Sequence, residues 1–137
     1  MANTLYPLWK QELIKGTANT ALTGTIKVVL VDTNTYTYSA AHQFYSSITG
    51  VPTSIAAAPP TLASKVYTNG IFDAADVTFS SVTLGPNCEA LVIYCDTGSA
   101  ATSPLIAYLD TGISGMPVTP NGGDITVVWN NSGIFAL

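Results

Sequence analysis

The chain predicts an all-β fold: a single-domain antiparallel β-sandwich, with the jelly roll as one form of it, carrying a short N-terminal helix. Three observations predict this. About eight short apolar runs rich in Val, Ile, Tyr and Thr recur along 137 residues, turn-forming residues interrupt them about every ten positions, and helical periodicity is confined to the N-terminus. The organising stretch is Glu89 to Trp129. Here Leu91-Val92-Ile93-Tyr94 leads into Cys95-Asp96-Thr97-Gly98, and Leu105-Ile106-Ala107-Tyr108 leads into Leu109-Asp110-Thr111-Gly112, the same phrase fourteen residues apart. A third run, Ile125-Thr126-Val127-Val128-Trp129, follows the turn-rich segment Pro117 to Asp124. The three read as neighbouring antiparallel strands.

Taken in order, Leu5 to Lys15 reads as a helix. Leu5, Leu8, Trp9, Leu13 and Ile14 form an apolar stripe, Pro7 suits a first turn, and Gly16 supplies the stop. This gives an N-terminal helical arm, 1–16, ahead of a β-sandwich domain, 17–137. Thr25 to Val31 is the clearest strand, ended by Asp32 and Asn34. Tyr36 and Tyr38 continue as an extended piece, and Ala40 to Ile48, with Ser39 as N-cap, reads as a brief helix closed by Gly50. Val51 to Ala63, with Pro52, Pro59 and Pro60, reads as a loop or sheet edge. Lys65 to Phe72 and Asp76 to Leu84 read as strands joined by a turn at Asp73 to Asp76, with Val77, Phe79 and Ser81 on one face. Ile125 to Trp129 and Ile134 to Leu137 close the chain around the turn Asn130 to Gly133. Several strands are apolar on both faces, Ile26 to Val31 among them, so the second face must be covered by the helix, another sheet or another copy.

Length bounds the chain to one domain with a proper core. Charge is the unusual feature: 9% of residues against roughly 25% in an ordinary soluble protein. Arginine is absent, and the four lysines, Lys10, Lys15, Lys27 and Lys65, are scattered. A net charge of −4 without a basic cluster speaks against nucleic-acid binding. So little charge gives weak colloidal protection, which suits a subunit packed against others. No apolar run approaches the 18 or so residues of a membrane helix. The opening residues mix Pro, Lys, Gln and Glu where a signal peptide needs an apolar core, which predicts synthesis in a cytoplasm. Cys88 and Cys95 flank one extended run, about 23 Å apart and on opposite faces, and are expected as free buried thiols.

The sharpest chemical signal is the pair of Asp-Thr-Gly triplets at Asp96 and Asp110. In aspartic proteases two such triplets share one proton and activate water. Successive turns of a meander sit on opposite sheet edges, so within one chain the triplets read as turn residues, leaving a dimeric protease as the distant alternative. His42, the lone histidine, has no carboxylate or thiol at ligand spacing. The pairs Asp73/Asp76 and Asn121/Asp124 have too few ligands for a calcium loop and read as turn caps. Tyr6, Tyr36, Tyr38, Tyr45 and Trp129 read as core or interface before they read as sugar platforms. No catalytic, cofactor-binding or metal-ligating residue is assigned, and no cofactor is expected.

Several phrases together resemble the small virion proteins of tailed bacteriophages. They are Thr25-Ile26-Lys27-Val28-Val29-Leu30-Val31-Asp32, Asp73-Ala74-Ala75-Asp76-Val77-Thr78-Phe79, Glu89-Ala90-Leu91-Val92-Ile93-Tyr94 and Pro117-Val118-Thr119-Pro120-Asn121-Gly122-Gly123-Asp124-Ile125. The resemblance spans most of the chain and implies a non-enzymatic component of the particle. The expectation is a capsid decoration or cement protein on the head surface, made in the host cytoplasm. It would associate with itself, a trimer being favoured, and with the major capsid protein or another virion protein, and with neither nucleic acid nor membrane. A tail fibre, baseplate or receptor-binding module is the alternative. Leu5, Trp9 and Leu13 of the arm, and Pro52, Pro59 and Pro60 of the central loop, are the candidate partner contacts.

Overall fold

The computed structural model describes residues 3–137 and is mostly β, with antiparallel sheets and two short α-helices. The principal sheet has four strands in the order β1 (Thr4–Leu5), β7 (Leu105–Leu109), β6 (Ala90–Cys95), β2 (Ile26–Val31). A second sheet joins β3 (Val66–Thr68), β4 (Ile71–Asp73) and β9 (Phe135–Ala136). A third pairs β5 (Val77–Phe79) with β8 (Ile125–Val127). One hydrophobic core gathers side chains from all three.

The strands β2 and β6 pair from Ile26 opposite Cys95 to Val31 opposite Ala90, and β6 pairs in turn with β7. Every residue of β6 and β7 is buried, as apolar character on both faces requires. The covering comes from within the chain: helix α1 (Pro7–Lys15) touches β7 and helix α2 (Thr53–Ala57) touches β2. Beyond β2, Pro60 to Leu62 continues the edge, with Val28 N–H donating to Pro60 O at 3.2 Å and Leu62 N–H to Ile26 O at 2.8 Å. Proline suits such an outer position because it brings no N–H to the ladder.

Several local expectations are corrected. Tyr6 precedes a proline and is held extended (φ −65°, ψ 124°), so helix α1 starts at Pro7 and Leu5 belongs to strand β1 instead. The arm is thus an edge strand of the principal sheet as well as a helix. Ala40 to Ile48 is not an α-helix. Gln43 O accepts from Leu105 N–H and Tyr45 N–H donates to Ser103 O, so the backbone is drawn against the start of β7. Only a 3₁₀ turn, Tyr45–Ser47, remains. The segment Val51 to Ala63 holds helix α2, anchored by buried Ile55, ahead of its edge strand-like end.

The expected strand Lys65 to Phe72 is two strands. Asn69 (φ 53°) and Gly70 (φ 76°) form a two-residue hairpin turn between paired Thr68 and Ile71. In β5 the alternation holds through Val77 and Phe79 but breaks at Ser81, whose φ of 47° turns it outward and sends Val82 into the core. Strand β8 does not neighbour β7; it pairs with β5, where Thr78 and Thr126 face outward with hydroxyls 3.0 Å apart.

Candidate functional site

The two Asp-Thr-Gly triplets close opposite ends of the β6–β7 hairpin, because Asp96 follows β6, Asp110 follows β7, and the strands are antiparallel. Five strand residues between those ends span about 17 Å, too far for a proton to be shared within one chain. Each triplet builds a turn, with Gly98 at φ 92° and Gly112 at φ 71°. Asp96 Oδ1 accepts from Gly98 N–H at 2.9 Å and Asp96 Oδ2 meets Lys27 Nζ at 3.0 Å. The Gly98 N–H, with Lys27 beside it, holds the Asp96 carboxyl below the usual carboxylate range. At the other end Asn3 Oδ1 accepts from Asp110 N–H at 2.7 Å and Thr111 N–H at 2.9 Å.

The other polar candidates serve the backbone. Asp73 Oδ1 accepts from Ala74 N–H, Asp76 Oδ1 from Trp129 N–H, Asp124 Oδ1 from Ser81 N–H, and Asn121 Oδ1 from Gly123 N–H. Among the described residues, no group of three or more His, Cys, Asp or Glu is placed to hold a metal ion, and no helix is long and apolar enough to cross a membrane. Cys88 and Cys95 are free and buried, as expected. Burial pushes the Cys88 thiol up to about 11 and that of Cys95 upward as well.

The tyrosines are not scattered. Tyr6, Tyr36, Tyr38 and Tyr108 form one cluster, with His42 against Tyr36, and Tyr45 stacks on Tyr94 with ring centroids 4.1 Å apart. Desolvation raises the phenol of Tyr6, Tyr36, Tyr45, Tyr94 and Tyr108 above its ordinary value. This cluster joins the segment before α1, the loop after β2 and the middle of the principal sheet. Its rings pack on one another inside the chain.

The contact candidates divide. Trp9 is 1% exposed, and its Nε1–H donates to Thr20 O at 2.9 Å, so it belongs to the chain's own core and offers no outward surface. Leu5, Leu13, Pro52, Pro59 and Pro60 are half-buried. Besides the single exposed side chains Ile14 and Leu84, exposed apolar residues gather on the β3–β4–β9 sheet. Val66, 50% exposed, shares one face with Ile71; Tyr67, 49% exposed, lies on the other; and Leu137, 64% exposed, follows β9. A groove of about 180 Å³ runs among Leu22, Tyr67, Ile71, Phe72, Phe135 and Leu137. Strand β3 is one of the two outer strands of that sheet. Its position is fixed from behind: Tyr67 hydroxyl donates to Leu22 O at 2.9 Å, and Lys65 Nζ donates to Leu22 O and Gly24 O. Sequence reasoning passed over this surface, although Thr68-Asn69-Gly70-Ile71 carries the hairpin signal that creates it. No protein-family model, curated protein or solved structure matches this chain.

Proposed function

We propose that this chain is a non-enzymatic structural protein of a tailed-phage virion, a capsid decoration or cement protein seated at capsomer junctions on the head surface. The carrying observation is the β3–β4–β9 sheet, which leaves Val66 and Ile71 exposed on one face and Tyr67 on the other, with Leu137 just beyond β9, on a chain with only 9% charged residues. An exposed apolar sheet without charged or proline guards along its outer strand β3 is a surface built to be covered. Its occupants in this reading are copies of the same chain, arranged as a trimer that matches the local threefold points of a shell, and the major capsid protein beneath them. The three sheets fold as a β-sandwich of jelly-roll type in this proposal, and the protein is made in the host cytoplasm.

The mechanism is thermodynamic linkage. A protein that binds the closed junction and not the opened one stabilises the closed state by its binding free energy, and apolar area buried at each joint supplies that energy. Two features agree with a structural role: Asp96 and Asp110 build turns at opposite hairpin ends, and the tyrosines pack inward. The test is occupancy. Full-length protein added to purified phage heads should bind in fixed stoichiometry at symmetric positions and raise the temperature at which the heads open. Failure to bind heads, with binding to tails instead, would replace this reading by the tail-module one.

A further inference from the structure

We infer that the cavity between the second Asp-Thr-Gly turn and the Asn130 to Gly133 turn binds a single neutral sugar ring. The cavity measures about 300 Å³, the lower end of the range for small-molecule sites and suited to one ring. Its walls combine two kinds of group. Leu109, Ile113 and Ile134 give apolar surface, while Asn3, Thr111, Asn130 and Ser132 give amides and hydroxyls. Among the described residues no Asp, Glu, Lys or Arg lines it, so a charged ligand would lose water without gaining a counter-charge from them.

The polar groups are held in place and have capacity left. Asn3 Oδ1 accepts two backbone N–H bonds and its Nδ2 donates to Thr111 O at 2.9 Å, which fixes the amide plane and leaves a second N–H. Asn130 Oδ1 accepts from Ser132 N–H at 2.8 Å, which orients the Asn130 amide in the same way. The Thr111 and Ser132 hydroxyls make no hydrogen bond among the described residues. The first triplet behaves differently. There the Thr97 hydroxyl lies 2.6 Å from that of Thr102 and 3.2 Å from that of Ser103, spent inside its own loop. Trp129 also lines the cavity, but it is 5% exposed and its Nε1–H donates to Ala75 O, so it offers little surface for stacking. Preorganised neutral donors and acceptors alongside apolar side chains match a pyranose, which carries hydroxyls at its rim and C–H groups on its faces.

This inference stands apart from the shell-binding reading, and its test needs no phage particle. Saturation-transfer difference NMR on the full chain would compare D-glucose, D-galactose and N-acetyl-D-glucosamine with the charged D-glucuronate and D-glucosamine. At least one neutral sugar should receive saturation and the charged pair should not. The double variant Thr111→Val with Ser132→Ala should weaken binding about tenfold. Both side chains are exposed and bond to nothing among the described residues, so the variant should keep the native spectrum. Absence of transfer to all three neutral sugars, equal transfer to the charged pair, or binding unaffected in the double variant would each overturn the assignment.

Discussion

The hydroxyl of Tyr6 stands 2.7 Å from that of Tyr36, and Tyr36 in turn meets His42 Nδ1 at 2.9 Å. The first residue lies just before helix α1 and the second in the loop after strand β2, thirty positions on. Both rings are buried, so the Tyr6 hydroxyl depends on Tyr36 for the bond that water would otherwise supply. The contact makes the N-terminal segment part of the core's polar wiring.

Replacing Tyr36 by Phe should therefore cost about 1–3 kcal/mol, because the Tyr6 hydroxyl and His42 Nδ1 lose a shared partner while the shape is kept. Urea unfolding should show a lower midpoint at an unchanged slope. Tyr38 makes ring contacts in the same cluster but its hydroxyl makes no hydrogen bond among the described residues, so Tyr38→Phe should stay within about 0.5 kcal/mol of the parent. Losses from Tyr36→Phe as small as those from Tyr38→Phe would show that the Tyr36 hydroxyl bonds contribute little.

Deleting residues 1–16 should abolish cooperative folding. The deletion removes strand β1 from the edge of β7, the Asn3 cap from the second Asp-Thr-Gly turn, and both Tyr6 and Trp9 from the core. Truncating a single buried aromatic costs about 3–5 kcal/mol, and a whole domain is stable by only about 5–15 kcal/mol. Thermal melting followed by near-ultraviolet circular dichroism checks this; a sharp transition in the truncated chain would show that the arm is dispensable.

The all-β class, the run Ile26 to Val31 and the Tyr94/Tyr108 hairpin could be read because their apolar density leaves no other use for them. The arm looks separate in sequence because Leu5, Leu8, Trp9 and Leu13 obey helical spacing. That pattern says nothing about the pairing of Thr4 and Leu5 with Tyr108 and Ala107, a contact over a hundred residues distant. Strand β8 was placed beside β7 for the same reason: chain order is visible, and the Phe79–Ile125 pairing is not. The exposed sheet was missed through turn chemistry. A continuous reading from Lys65 to Phe72 overran Asn69-Gly70, whose positive φ angles split it and send Val66 and Ile71 to the surface. The cavity beside Thr111 joins three segments that no local pattern links.

Alkaline pH should unfold the protein. Burial raises the phenols of Tyr6, Tyr36, Tyr45, Tyr94 and Tyr108 in the folded state. Above the ordinary tyrosine value of about 10, the unfolded chain releases these protons while the folded chain holds them, so stability falls as pH rises. Below that value the contribution is fully present. Phenolate absorbance should rise late and steeply, together with the loss of circular dichroism. A smooth titration of all tyrosines near pH 10 in folded protein would contradict the buried cluster.

Two glycines with similar backbone angles should respond differently to alanine. Gly115 has φ 97°, and a Cβ there would sit 2.5 Å from Thr126 O. Thr126 cannot retreat, because β8 is paired with β5 and Ser114 is bridged to Val128. Gly98 has φ 92° with open space around it. Gly98→Ala should cost only the left-handed penalty of about 1–2 kcal/mol, and Gly115→Ala distinctly more. Unfolding free energies from urea titration would show whether the order is reversed.

Val66→Lys tests the proposed assembly surface without touching the core. Val66 is half exposed on an outer strand of the β3–β4–β9 sheet, so the substitution should alter stability by no more than about 0.5 kcal/mol. Lysine on an outer strand is a common natural block to strand pairing, since its charge must be desolvated before another chain can approach. The variant should lower self-association in sedimentation velocity and lower occupancy on purified heads, each by at least about tenfold in apparent affinity. Because the surface is apolar, raising the salt concentration should not weaken the parent's association, as it would for an interface held by exposed ion pairs. Parent and variant assembling alike would move the contact away from this sheet; an association dissolved by salt would move it to the few charges the chain has.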